Sequence, residues 1–353
     1  MLKPGSLLIC VLAGLAGCST RPPPREIEQV PDERRLAPPP AFLPQLPRPR
    51  SLDDAGAWIP LSRWSRQNGC GLPRRITESR TPAFALDTSN GTLLLRINSR
   101  VANWDGLELH LGFEPQLINN QLFVHVLDAT KNLEPLILSL DPEANPGRTV
   151  VIDPGHGGQN TGALSVLDGV CEKEYTLDWA LRLEPLLAAQ GWQVFLTRTN
   201  DIDVSLSNRV AIAEEHQADL FISLHFNSAA PSQDQTGLET YCLTPTGMPS
   251  TLTRGYDDDV SLTFANNAFD AENLEYAVQL HRALLGVIGA DRGIRHARFL
   301  GVLRGQNRPA VLVEGGYLSN PDEARRIADP AYRQRLAEAL AAALAGRPVA
   351  RGP

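Results

Sequence analysis

The sequence lacks the excess of basic residues that nucleic-acid binding requires. It contains 33 Lys and Arg against 40 Asp and Glu, which gives a formal net charge of -7. A basic patch or stripe is the usual electrostatic footprint of a nucleic-acid-binding protein. We therefore expect no nucleic-acid partner.

The N-terminus has the features of a bacterial export signal. Lys3 supplies the positive charge, and the apolar run 7–17 is too short to span a membrane as a mature helix. The tetrapeptide "LAGC", ending at Cys18, resembles a lipobox. We expect residues 1–17 to be removed and Cys18 to carry a lipid membrane anchor. Ser19 would favour the outer membrane, facing the periplasm, if the cell is Gram-negative. The alternative is an ordinary signal peptide with a chance cysteine.

Cysteine is scarce, at five in 353 residues. Three remain after loss of the signal peptide and lipidation: Cys70, Cys171 and Cys242. An odd number in an exported protein leaves at least one free thiol. Whether two of the three form a disulfide stays open.

Composition divides the rest of the chain into three segments. Residues 18–55 are crowded with proline and predict an extended linker. Residues 56–140 contain short alternating runs between turn signals such as Asn90-Gly91, the pattern of a small β-rich domain. In residues 149–346 strands and helices alternate, which predicts an α/β domain with a twisted, mostly parallel sheet flanked by helices. Pro185 lies inside a helical pattern there and predicts a kink or a break.

Four side chains able to bind a metal or transfer a proton lie at the ends of predicted elements. His156 follows the strand "TVVID", His225 closes "DLFISL", Glu314 closes "AVLV", and Glu172 opens a helix. The carboxyl ends of parallel strands gather at one edge, where sites of such folds lie. Two imidazoles and a carboxylate are a ligand set of catalytic zinc, with water in the fourth position.

Each of these residues also has a simpler interpretation. A histidine after a buried strand is often only hydrogen-bonded, and Glu172 suits the positive end of a helix dipole. The glycines of "GHGG" around His156 would also suit a phosphate-binding loop, but no P-loop lysine follows them. The four residues together favour the metal site.

Six segments carry a family resemblance: "VVIDPGHGGQNTGA", "EKEYTL", "GWQVFLTRTND", "LSNRVAIAEEHQADLFISLHFNS", "GLETY" and "VEGGYLSN". Residues 149–345 resemble the zinc-dependent N-acetylmuramoyl-L-alanine amidases, which cut bacterial peptidoglycan. The resemblance implies one catalytic Zn²⁺ held by His156, Glu172 and His225. It also implies Glu314 as the catalytic glutamate and peptidoglycan as the partner.

The N-terminal folded segment resembles the copper amine oxidase-like module found beside bacterial wall enzymes. We expect residues 56–140 to serve as a structural or wall-contact domain. His110 and His125 occur singly on its strands, and we expect them to be packed or exposed strand residues.

Three positions in or beside the family motifs have roles that the motifs alone do not decide. Asn160 stands where the family has Asp, which affects a turn or supporting contact rather than a ligand. Cys171, next to Glu172, is an alternative thiolate ligand, but Glu172 matches the family position and is preferred. Glu239 in "GLETY" matches a recurrent family glutamate, although a strand-edge role explains it equally well.

The connection 243–270 has little periodicity. Connections of this length are usually lids, binding loops or insertions. Its Gly, Pro and Thr content argues against an inhibitory helix, so we expect a substrate-shaping flap with Tyr256 and Asp257–Asp259 exposed.

Two other functions remain open. One is a zinc peptidase that cleaves elsewhere in the stem peptide of peptidoglycan. The other is a non-catalytic wall-binding lipoprotein, which would be expected to lack at least one of the four site residues.

Overall fold

The computed structural model describes residues 57–77, 81–138, 148–252 and 258–345. The predicted signal peptide, Cys18 and the proline-rich linker lie outside these ranges. Within them, no helix combines the length and the apolar character needed to cross a membrane.

The described residues form nine α-helices. They are α1 (Leu61–Gln67), α2 (Val126–Asp128), α3 (Glu134–Ile137), α4 (Glu172–Ala189), α5 (Leu206–Glu215), α6 (Asp270–Ile288), α7 (Gly301–Arg304), α8 (Pro321–Ala328) and α9 (Pro330–Ala345). A π-helical turn, Ala129–Leu133, joins α2 to α3, and a 3-10 helix, Ala265–Phe269, precedes α6.

The same residues contain fourteen strands. They are β1 (Trp58–Pro60), β2 (Arg74–Arg75), β3 (Ala83–Asp87), β4 (Thr92–Arg96), β5 (Val101–Trp104), β6 (Leu107–His110), β7 (Gln116–Ile118), β8 (Gln121–His125), β9 (Thr149–Pro154), β10 (Gln193–Leu196), β11 (Leu220–Asn227), β12 (Leu238–Cys242), β13 (Asp291–His296) and β14 (Ala310–Tyr317).

One large mixed sheet organises the fold. Its order is β10-β9-β11-β14-β12-β13-β6-β5-β4-β3-β2. The first four strands are parallel to one another, whereas β12 runs antiparallel to β14 and parallel to β13. Four of the five pairings among β9 to β14 are parallel, so the predicted α/β fold with a mostly parallel sheet and flanking helices is confirmed for this part of the sheet.

The N-terminal strands belong to the same sheet. Strand β6 lies beside β13, with Leu109 opposite Ile294, and β5 to β2 continue as an antiparallel meander. The remaining strands form a small sheet in the order β1-β8-β7. The described sheet therefore runs without interruption across the two predicted domains.

The two faces of the large sheet are covered differently. Helices α4, α6 and α9 pack on one face, where Trp179 of α4 contacts Phe226 of β11 with ring centroids 5.3 Å apart. Helices α5 and α7 cover the opposite face around Phe221. Because side chains alternate along a strand, His225 shares the face of Phe221 and not that of Phe226.

The helix starts predicted from capping residues are confirmed at two helices, whereas the helix break predicted at Pro185 is not. Ser205 caps α5 and Asn320 caps α8 through side-chain oxygens that accept backbone N–H groups. Helix α4 continues through Pro185 to Ala189, so the predicted break there is wrong. A proline can persist when packing of the rest of the helix outweighs the lost hydrogen bond, and α4 buries Trp179, Leu183 and Leu187.

The connection 243–270 was predicted to be a flap at the site, and this is wrong for its described residues. Strand β12 begins beside Glu314 and ends at Cys242, toward the amino end of β14. The connection therefore leaves the sheet at the end opposite to His225 and Glu314. Strand direction was not visible in the sequence. Residues 253–257, which include Tyr256 and Asp257, lie outside the described ranges.

A buried arginine holds this connection in place. The Arg298 guanidinium donates to the carbonyl oxygens of Pro245 at 2.9 Å, Met248 at 3.0 Å and Leu262 at 2.7 Å. Arg100, from the N-terminal segment, donates to Ser250 O at 3.1 Å. These hydrogen bonds therefore hold the connection at the end of the sheet where β14 begins.

Candidate metal centre

A tight turn after β9 places His156 at the carboxyl edge of the sheet. His156 itself has a φ of 65°, and Gly157 and Gly158 continue in the left-handed region. Gly155 is needed for a different reason: a Cβ there would lie 2.3 Å from Cε1 of His225. The glycine therefore allows the backbone of one candidate ligand to approach the ring of another.

Two buried arginines fix the carbonyl groups of this turn. Arg209 donates to His156 O at 2.7 Å and forms an ion pair with Asp153. Arg198 donates to Gly155 O at 2.8 Å. Burial lowers the pKa of Arg198 to about 10, which still leaves it charged at neutral pH. Charge-assisted hydrogen bonds to the carbonyl groups of Gly155 and His156 therefore hold the backbone of His156 in this conformation.

Three predicted ligands converge on one point. His156 Nε2 lies 2.9 Å from His225 Nδ1, and each of these nitrogens lies 3.0 Å from Glu172 Oε1. The exposed fractions are 4% for His156, 1% for Glu172 and 6% for His225. Within the described part of the chain, these three residues form the group able to hold a metal ion.

Asn160 determines which nitrogen of His156 faces that point. Asn160 Oδ1 lies 3.1 Å from His156 Nδ1. An amide oxygen only accepts hydrogen bonds, so Nδ1 carries the proton and Nε2 keeps a lone pair. The substitution of Asn for the family's Asp therefore preserves a supporting contact to the ligand.

The donor set fits a divalent cation. Glu172 Oε1 already accepts the N–H of Phe226 at 3.1 Å, and the lone pair of His156 Nε2 points at this anionic oxygen. Lone pairs that face one another at this distance repel unless a cation lies between them. Buried imidazole nitrogen and carboxylate oxygen are ligands that suit zinc.

Glu172 is held as a carboxylate by its neighbours. Burial raises the pKa of Glu172, but when His156 and His225 carry protons their charges and hydrogen bonds outweigh burial and lower the pKa well below its usual value. Its second oxygen accepts the N–H of Ala163 at 2.8 Å. Glu172 is also the first residue of α4, where the helix dipole favours a negative charge.

Glu314 lies on the strand next to His225. The two residues are register partners on the parallel strands β11 and β14, so their side chains share a face of the sheet. The four residues that the sequence analysis singled out therefore lie at the same edge of the large sheet. Cys171 lies outside the cluster of candidate ligands.

Glu239 is the register partner of Glu314 on the other side. It is buried, and it accepts hydrogen bonds from Asn227 Nδ2, Tyr241 Oη and Arg292 Nε, each at 2.9 Å. It is therefore the centre of a polar network rather than a strand-edge residue. A glutamate in an apolar strand needs such partners, but the sequence does not show which ones they are.

The other five histidines make separate contacts. His125 accepts the N–H of Leu127 at 3.2 Å, and His281 lies 3.0 Å from Asp291. The remaining three are His110, beside Glu108, His216, stacked on Phe195, and the buried His296.

Residues 150–346 match the N-acetylmuramoyl-L-alanine amidase family Amidase_3. A parallel sheet edge with a His-Glu-His cluster defines a candidate metallohydrolase, and this match spans more than half of the 353 residues. The chain belongs to this family. The family expected from the sequence is confirmed.

Named relatives are similar over the same part. The chain is 35% identical over 195 residues to the N-acetylmuramoyl-L-alanine amidase LytC of Bacillus subtilis (strain 168), which covers 55% of this chain and 34% of LytC. It is 36% identical over 201 residues to the "Probable cell wall amidase LytH" of Staphylococcus aureus, covering 56% and 58%. The chain therefore matches less than two thirds of the length of either relative.

A solved structure is similar as well. The catalytic domain of the amidase CwlV from Bacillus (Paenibacillus) polymyxa var. colistinus has 33% sequence identity, with 56% of this chain and 96% of that chain covered and a TM-score of 0.45.

Proposed function

We propose that this chain is a zinc-dependent hydrolase that cleaves the amide bond between N-acetylmuramic acid and L-alanine in peptidoglycan. The observation that carries the proposal is the convergence of His156, Glu172 and His225 within 3.0 Å, with Glu314 on the adjacent strand. Family membership and the name of LytC support the choice of substrate.

Three side chains would hold the metal. His156 Nε2, His225 Nδ1 and Glu172 Oε1 are the ligand atoms, and Asn160 fixes the tautomer of the first. When bound, zinc supplies Lewis-acid activation of water and of the substrate carbonyl. This activation matters because an amide is a poor electrophile.

Glu314 is proposed to move the proton. Its carboxylate accepts a proton from the water that attacks the carbonyl carbon and delivers it to the L-alanine nitrogen as the C–N bond breaks. The products are a muramic acid with a free lactyl carboxylate and a peptide with a free N-terminal amine. Position on the strand beside His225 is what suits Glu314 to this role.

The test is Glu314→Gln with metal analysis. We expect zinc content to match the wild type while hydrolysis falls by about 10²- to 10⁴-fold, the usual contribution of a positioned general base. Glu338→Gln, at an exposed position of α9, is the matched control and should change neither quantity. Full activity of the Glu314→Gln variant would contradict the mechanism.

The bond cleaved is identified from the products. Peptidoglycan digested by the mature chain should release peptides that begin with L-alanine, as measured by mass spectrometry, and a chelator should stop the release. Cleavage within the stem peptide would instead identify a zinc peptidase. No cleavage in the presence of zinc would favour a non-catalytic wall-binding protein.

We also propose export and lipid anchoring through Cys18, which lies outside the described residues. The support is the N-terminal sequence alone. Cell fractionation should find the wild type in the membrane and Cys18→Ala in the soluble fraction of the same compartment. Membrane retention of Cys18→Ala would contradict the anchor.

A further inference from the structure

The edge of the sheet that holds Glu314 continues into two arginines. Glu239, the register partner of Glu314, receives Arg292 Nε at 2.9 Å and lies 3.3 Å from Arg295 Nε, all through Glu239 Oε1. Burial raises the pKa of Glu239, but Arg295 and Arg292 outweigh it and lower the pKa below its usual value. Two cations thus face one buried anion, and we call Arg292 and Arg295 the rim arginines.

An irregularity in β13 brings the rim arginines to one face. Where β12 advances by two residues, β13 advances by three, and the extra residue lies near Gly293, whose φ is 92°. Such a bulge reverses the alternation of side chains. Arg292 and Arg295 therefore both point to the face of Glu239, and Arg295 Nε also donates to Arg292 O at 3.0 Å.

Arg292 keeps part of its guanidinium available. Its side chain is 24% exposed, Nη1 donates to Gln235 Oε1 at 2.7 Å, and the guanidinium carbon lies 5.1 Å from the centre of the Tyr317 ring. Among the described residues, its hydrogen bonds use Nε and Nη1, which leaves the Nη2 edge for a ligand. The contacts with Tyr317 and Gln235 fix the plane in which that edge lies.

We propose that Arg292 binds a carboxylate of the substrate peptide on the leaving-amine side of the scissile bond, an assignment that rests on the proposed function. Arg295 and Tyr317 position Arg292 for this contact. A planar guanidinium with an open edge binds a carboxylate more strongly than it binds a neutral ligand group.

The spacing agrees with this assignment. Adjacent strands lie about 4.8 Å apart, so β13 is about 10 Å from β14 and Glu314. An extended peptide advances about 3.3–3.6 Å per residue. The Arg292 side chain therefore reaches the first or second residue after the L-alanine whose nitrogen Glu314 would protonate.

The experiment compares two synthetic muramyl peptides. They are identical except that the residue after L-alanine carries either a free carboxylate or a carboxamide. For the wild type we expect kcat/KM to be about 10- to 100-fold higher with the carboxylate, the range expected for one charge-assisted hydrogen bond. Arg292→Met should abolish the preference by raising KM for the carboxylate peptide, and Arg292→Lys should keep part of it.

The controls separate binding from folding. Arg325→Met removes an arginine with a 66% exposed side chain on α8 and should leave the preference intact. Thermal unfolding checks that Arg292→Met is folded. If Arg292→Met is unfolded, the two rates of the wild type on the carboxylate and carboxamide peptides test the inference. Equal wild-type rates on both peptides would overturn the inference and would leave the amidase function unaffected. Hydrolysis of neither peptide would contradict the proposed function itself.

Discussion

Asn160 and His156 are joined by a hydrogen bond of 3.1 Å between the amide oxygen and Nδ1. The bond fixes both the tautomer and the orientation of the imidazole that faces Glu172. Because asparagine does not ionise, this support does not depend on pH in the way an aspartate would. Asn160 thus belongs to the metal site although it does not reach the metal position.

Loss of this hydrogen bond should weaken zinc binding. Asn160→Leu removes the acceptor with little change in size, and we expect the zinc Kd to rise by about 10- to 100-fold, as for other supporting contacts to metal ligands. Asn160→Asp keeps an acceptor and should retain most of the affinity. Competition with a chromophoric chelator measures Kd, and equal values for wild type and Asn160→Leu would contradict the role.

Gly155→Ala should disrupt the site through overlap with a ligand. The added Cβ would lie 2.3 Å from the His225 ring, so the ring or the turn must move and zinc affinity should fall sharply. Gly286→Ala is the matched control because its Cβ would meet no atom within 4 Å. Gly286 lies in the last turn of α6, where that change should stabilise the fold by at most about 0.5–1 kcal/mol. Calorimetry and zinc analysis distinguish the two variants.

Zinc should stabilise the fold through the three ligand residues. A ligand that binds only the folded state at 1,000 times its Kd adds about 4 kcal/mol to the free energy of unfolding. We expect zinc to raise the Tm of the wild type and of Glu314→Gln, but not of His225→Ala. A shift of equal size in His225→Ala would show that zinc binds elsewhere.

Arg298→Met should reduce stability without changing catalysis. The substitution leaves three carbonyl groups of the connection 243–270 without their donor, and we expect a loss of roughly 2–4 kcal/mol in the free energy of unfolding. Because the connection leaves the opposite end of the sheet, kcat and KM of the folded protein should be unchanged. A raised KM would restore the idea of a substrate-shaping flap.

Removal of the N-terminal strands should destabilise the catalytic part. A chain that begins at Arg148 lacks β6, so β13 becomes an open edge and Ile294, now 1% exposed, loses its partner Leu109. We expect a Tm lower by several degrees and concentration-dependent association in light scattering. A chain that begins at Ala57 keeps β6 and should behave like the full length, which makes it the control.

The sequence allowed the site residues at the ends of strands to be predicted. His156, His225 and Glu314 were predicted to meet because each closes a buried strand, and carboxyl ends of parallel strands share an edge. Glu172 was a weaker candidate on its position alone, because a glutamate at a helix start also has an ordinary explanation in the helix dipole.

Other features depend on pairings that the local sequence does not encode. The direction of β12 decides where the connection 243–270 lies, and a strand has the same pattern in both directions. The charged partners of Glu239 are Arg292 and Arg295 of β13, more than fifty residues later. Continuation of Pro185 within α4 depends on packing of the whole helix rather than on the proline itself.

The pairing of β6 with β13 also sets an order of folding. The Glu108 N–H donates to Asp291 Oδ2, a residue 183 positions later in the chain. The N-terminal meander is therefore synthesised with one edge that has no partner until most of the amidase domain has followed. Contacts of such long sequence separation slow folding and expose strand edges meanwhile. Under the proposed export of an unfolded chain, secretion and completion of this sheet would be consecutive steps.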